Sequence, residues 1–152
     1  MQFIVHSAVV NIRPDFFRGG RLRTSASNVL VASWNVECLT ESKLVELQIH
    51  MRQLDIWILC LQETHKHKSA YYVTSEGFLV ILSGSDDEDT EEYAGVGFLI
   101  APGIRRSIIG FTQASARIAA LKLRVPGGKA SVSNAYAPHS GKPTEERQQF
   151  FH

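Results

Sequence analysis

The sequence is poor in the features that would assign it quickly. Its 152 residues hold only two cysteines, Cys38 and Cys60, and these are not in a CxxC arrangement. Both lie in or beside apolar runs, which reads as buried reduced thiols rather than a disulfide framework. No run of about 18 apolar residues occurs, so no membrane-spanning helix is expected. The N-terminus has no basic segment ahead of its short apolar stretch, so it does not read as a secretory signal. Charge of one sign is also missing. Lys plus Arg is 16 and Asp plus Glu is 15, which provides no electrostatic footprint for nucleic acid. No internal repeat is visible.

What is present is ordinary globular composition, 44% apolar and 20% charged, in a length that supports one core. The charges are unevenly placed. Residues 1–28 carry Arg13, Arg18, Arg21 and Arg23 against Asp15 alone. With Gly19-Gly20 and the Ser/Thr cluster at 24–27, they read as a poorly structured basic lead-in. An organellar, mitochondrial transit peptide is the other reading of this acid-poor stretch. Residues 86–92 carry six acids and no base, and read as a solvated loop.

The chain is organised around 54–64, LDIWILCLQET. Ile56 to Leu61 is a continuous apolar run, as in a strand buried on both faces. It ends in Gln62, Glu63 and Thr64. Upstream, 28–35 (NVLVASWN) is a second strand. Between them Thr40 is an N-cap for a helix to about Leu54, with Leu44, Leu47, Met51 and Leu54 forming its apolar face. Strand, helix, strand is a βαβ unit, whose strands run parallel. Asn35 and Glu63 therefore close neighbouring strands at one sheet edge, where open α/β sheets bind ligands.

The rest reads as follows. Residues 65–76 are loop or irregular helix, and 78–82 are a strand. A strand at 94–100 contains Gly95 and Gly97, which signal close backbone approach. Residues 105–111 form a further strand. Residues 117–125 alternate (Leu121, Leu123 and Val125 against Lys122 and Arg124), as in an antiparallel strand wet on one face. Pro126-Gly127-Gly128 turns the chain into a partner strand at 129–136. Pro143 opens a helix.

Three strand-end motifs then stand in order: Trp34-Asn35-Val36, Leu61-Gln62-Glu63-Thr64 and Asn134-Ala135-Tyr136-Ala137-Pro138. Over residues 29–151 they resemble the endonuclease/exonuclease/phosphatase superfamily. The closer resemblance is to the apurinic-type endonuclease domain of non-long-terminal-repeat retrotransposons and to craniofacial-development-protein-2-like sequences. This resemblance implies an α/β fold, a four-layer sandwich with a mixed β-sheet and flanking helices, and Mg²⁺-dependent hydrolysis of a DNA phosphodiester. Mn²⁺ would be the substitute ion. Residues 29–152 would be a partial domain of that type. Glu63 would be the metal ligand, Asn35 a second-shell or phosphate hydrogen-bonding residue, and Tyr136 a hydroxyl set against the scissile phosphate. Arg117 and His139 are further phosphate candidates. The setting implied is intracellular and nuclear, with no membrane partner.

Each residue has a plainer reading. Glu63 is then a solvated acid, Asn35 a turn former, Tyr136 a packing aromatic, Arg117 an ion-pair partner and His139 a loop side chain. His65-x-His67 beside Glu63 and Cys60 also permits a zinc site. The family's water-activating residues, an Asp-x-Asn strand end and an Asp-His pair, do not occur in these 152 residues. The buried strands also need a covering second sheet, which is expected to lie outside this sequence. The chain thus reads as the N-terminal half of an incomplete domain, inactive alone. The alternatives are a phosphoesterase acting on inositol phosphates or lipids, and a non-catalytic binding remnant.

Overall fold

The computed structural model describes residues 10–12, 27–84, 95–125 and 128–137. Nine strands, one α-helix and one 3-10 turn lie among them. In chain order these are β1 (Val10–Ile12), β2 (Ser27–Asn35), α1 (Glu41–Gln53), β3 (Ile56–Gln62), β4 (Ala70–Val73), β5 (Leu79–Ser83), β6 (Val96–Ile100), the 3-10 turn Pro102–Ser107, β7 (Ile108–Ser115), β8 (Ile118–Val125) and β9 (Gly128–Ala135). The first six strands form one mixed sheet in the order β1-β2-β3-β6-β5-β4, and the last three form an antiparallel sheet, β7-β8-β9.

The βαβ reading holds. β2 and β3 are parallel, with Asn35 in register with Gln62. Thr40 caps α1, its hydroxyl accepting the Lys43 N–H at 3.2 Å. Leu44, Leu47 and Met51 are buried as expected, but Leu54 is 48% exposed, because the helix ends one residue before it. Gln48 is also buried. Its Nε2 donates to the Leu44 carbonyl at 3.0 Å, and its Oε1 accepts from the Thr74 hydroxyl at 2.7 Å, so burial leaves neither group unpaired.

Alternation along the six-stranded sheet separates two cores. Ile58, Cys60, Leu79, Ile81, Val96, Phe98 and Ile100 point to one face, where they meet Ala119, Leu121, Leu123 and Val132 of the second sheet. Leu59, Leu61, Val80, Leu82 and Leu99 point to the other face, beneath Leu44, Leu47 and Met51 of α1, and Ile56 joins them across the register shift between β2 and β3. Each fully buried leucine of these layers contributes about 1.5–3 kcal/mol relative to an exposed one. The central strands are continuous apolar runs because both sides are covered.

This corrects the expectation that the second sheet lies outside the sequence. Residues 108–135 supply one, three strands wide, and its apolar side closes the face opposite α1. Flanking helices are likewise reduced to α1 among the described residues. The stretch 65–76 is neither plain loop nor helix, since Ala70–Val73 pairs with β5 as an edge strand. Its side chains are largely exposed, which removes the alternation that marks a strand. The strand expected at 105–111 begins later, at Ile108, because Pro102-Gly103 opens the 3-10 turn. Within the basic lead-in, Val10–Ile12 pairs antiparallel with β2.

The glycine signal in β6 holds. A Cβ on Gly97 would stand 2.7 Å from the Ile81 carbonyl oxygen of β5, and Gly95 adopts φ +112 against the Thr64 side chain. The acidic run 86–92 and the helix opened by Pro143 lie outside the described residues. No helix among the described residues is long and apolar enough to cross a membrane.

Candidate metal-binding edge

The parallel ladder of β2 and β3 continues past the strand ends through the loop that follows β2. Val36 N–H donates to the Gln62 carbonyl (2.9 Å), Cys38 N–H to Glu63 (2.8 Å) and Leu39 N–H to Thr64 (3.0 Å). Holding this path requires left-handed backbone at four non-glycine residues around the edge: Glu37 (φ 45), Cys38 (φ 75), Glu63 (φ 52) and His65 (φ 52). Each costs on the order of 1–3 kcal/mol and persists only where the surroundings fix it.

On this edge Glu63 is turned inward, with 18% of its side chain exposed. The Tyr136 hydroxyl, arriving from the end of β9, donates to Glu63 Oε1 in a short hydrogen bond. Glu63 Oε2 faces His65 Nε2 at 4.0 Å, outside hydrogen-bond range. Tyr136 is itself held twice by the β7–β8 turn. Its N–H donates to the Arg117 carbonyl at 2.9 Å, and the Arg117 guanidinium lies 5.2 Å from its ring centroid. A cation at that distance from an aromatic face is worth on the order of 1 kcal/mol.

Asn134, in β9 two residues before Tyr136, is 2% exposed and joins the two sheets. Its Nδ2 donates to the carbonyls of Leu61 and Gly97, both at 2.9 Å, and its Oδ1 accepts from Gln62 Nε2 at 2.7 Å. A buried amide with both its donors and its acceptor engaged fixes the register of one sheet on the other. Because side chains alternate along a strand, fixing Asn134 also directs Tyr136 to the same face, toward Glu63.

The sequence-level site residues therefore fare differently. Glu63 and Tyr136 are brought into direct contact across 73 residues of sequence. Asn35 shares the edge but is exposed, and its Oδ1 accepts the Glu37 N–H at 3.1 Å, the turn-forming geometry. Arg117 is packed over Tyr136. His139 lies outside the described residues. Cys60 belongs to the core between the sheets, where burial pushes its thiol up to about 12, unsuited to a thiolate ligand of zinc. Reading the motifs alone missed Gln62 and Asn134. The available signal was Asn134 in phase with Val132 on the apolar side of a strand, a polar residue where burial is expected.

Of the residues at this edge, Glu63 could hold a hard cation, which would keep most of its waters. Glu63 offers one carboxylate oxygen outside any hydrogen bond to its phenol partner, and Mg²⁺ commonly takes only one or two protein carboxylates. No three His, Cys, Asp or Glu side chains converge among the described residues, so the edge is no all-protein cage. The chain matches no protein-family model and no curated protein sequence.

Proposed function

We propose that this chain carries the metal-binding edge of a Mg²⁺-dependent phosphodiester hydrolase of the endonuclease/exonuclease/phosphatase type, with DNA as substrate as in retroelement endonucleases. The two sheets and α1 are then the N-terminal half of a four-layer α/β sandwich. The observation that carries this reading is the Tyr136–Glu63 hydrogen bond at the common exit of β3 and β9. It brings two of the three motifs together at one edge, 73 residues apart in sequence.

In this reading Glu63 would hold the ion, with the Tyr136 hydroxyl fixing the carboxylate's orientation. Asn35, its Oδ1 engaged by the Glu37 N–H, would offer its Nδ2 as a donor to a phosphate oxygen. Mg²⁺, when bound, stabilises charge on the phosphoryl oxygens. The 152 residues contain no Asp-x-Asn and no Asp-His, so water activation falls to groups from another segment.

The test is fluorescence anisotropy and nicking with an abasic-site duplex. The chain is expected to bind it more tightly in Mg²⁺ than in EDTA, to lose that increment as Glu63→Gln, and to leave the strand uncut. Binding indifferent to both Mg²⁺ and Glu63→Gln would overturn the proposal. Nicking abolished by Glu63→Gln would keep the hydrolase but overturn the need for a second segment.

A further inference from the structure

Lys43 breaks a local rule. It occupies the third position of α1 after the Thr40 cap, where a Glu or Gln completes a capping box and where the helix dipole disfavours a cation. The structure shows what offsets this. The Thr40 hydroxyl fixes the Lys43 backbone, and the side chain folds back off the helix. Its ammonium donates to the carbonyls of two consecutive residues, Val36 at 2.6 Å and Glu37 at 2.8 Å. Those carbonyls belong to the loop that holds two successive left-handed residues, Glu37 and Cys38. Cys38 N–H in turn donates to the carbonyl of Glu63 at 2.8 Å, and Glu63 is left-handed as well.

We propose that Lys43 is a positioning residue for Glu63: its ammonium clamps the 36–38 loop, and through the Cys38–Glu63 backbone bond the loop holds the carboxylate at the edge. The inference rests on the reading of Glu63 as a metal ligand. The Lys43 ammonium bonds main-chain carbonyls rather than the carboxylate or Tyr136, so its effect is transmitted through the backbone. A strained loop needs an external restraint to persist, and two charge-assisted bonds from one ammonium supply it. Arginine also donates to two carbonyls and substitutes in kind. Methionine keeps the apolar stem and removes the donors.

The experiment combines amide hydrogen exchange by NMR with Mn²⁺ binding by paramagnetic resonance, on wild type, Lys43→Met and Lys43→Arg. Lys43→Gln is run beside them in case the methionine variant does not fold. In Lys43→Met, exchange at the Cys38 and Leu39 amides is expected to rise at least tenfold, with Leu47 and Met51 in α1 unchanged. Mn²⁺ affinity is expected to fall at least fivefold, and Lys43→Arg to stay within about twofold of wild type in both. Unchanged exchange overturns the clamp. Faster exchange with unchanged Mn²⁺ affinity overturns the positioning role, leaving a loop stabiliser. Wild-type protein that binds no Mn²⁺ overturns the metal reading and the inference with it. That result is distinct from failure of the inference alone, where wild type and Lys43→Met bind Mn²⁺ alike.

Discussion

The two faces of the six-stranded sheet are closed by different means. One lies under α1, the segment that joins β2 to β3, and its core is apolar apart from the satisfied Gln48. The other lies under β7-β8-β9, contributed from much later in the chain, and it contains a polar bridge through Asn134. The helix face needs no polar register device, because a short crossover already fixes α1 on its strands. A second sheet can slide on the first, and such a slip would carry Asn134 and Tyr136 away from Gln62 and Glu63. The bridge and the candidate site therefore lie together at the rim of the inter-sheet face, where Glu63 and Tyr136 meet.

The sharpest way to break the comparison is a large-to-small pair, one on each face. Phe98→Ala removes a fully buried ring in edge-to-face contact with Phe111, and a loss of about 4 kcal/mol is expected in urea denaturation. Met51→Ala on the buried side of α1 should cost about 3 kcal/mol. The difference to look for is in Tyr136, whose near-ultraviolet signal should change only with Phe98→Ala.

Next in size is Asn134→Ala. It strips a donor from two interior carbonyls and a partner from Gln62, for a loss of about 2–3 kcal/mol. Unlike Met51→Ala, it should also weaken Mg²⁺ binding, because the second sheet loses its register at the site.

Alkaline pH probes the inter-sheet face through Cys60. Burial raises the Cys60 thiol from 9.0 to about 12. The folded state thus keeps a proton that the unfolded state loses. The contribution is intact below the unfolded value of 9.0 and is lost progressively as pH rises toward about 12. The expected loss is about 1.4 kcal/mol per pH unit in that window. Denaturation of wild type and Cys60→Ala between pH 8 and 10.5 should show slopes differing by about that amount.

Tyr136→Phe should have the smallest effect on stability, within about 1 kcal/mol, since the ring and its Arg117 contact remain. A measurable drop in Mg²⁺ affinity at nearly constant stability would separate the site from the core it sits on.

Much of this was legible in residue patterns, and the reasons for the rest are physical. The runs in β2, β3, β5 and β6 marked strands buried on two sides, and Thr40 marked the start of α1. Alternation in β8 showed which of its faces is apolar, but periodicity does not say what that face packs against, so the second sheet was expected elsewhere. β4 escaped because exposed Tyr71, Tyr72 and Val73 leave no pattern. At the site, parallel pairing placed Asn35 beside the exit of β3. The Tyr136–Glu63 contact depends on sheet-on-sheet packing, which local pattern does not encode. The left-handed backbone at Glu37, Cys38, Glu63 and His65 had no glycine to announce it.

The central claim is that Glu63, oriented by Tyr136, holds a divalent ion. Isothermal titration of the chain with Mg²⁺ tests it most directly. The account predicts one saturable site in wild type, absent in Glu63→Gln and weakened in Tyr136→Phe, with all three proteins folded. Equal Mg²⁺ binding by wild type and Glu63→Gln, or none by wild type, would contradict it.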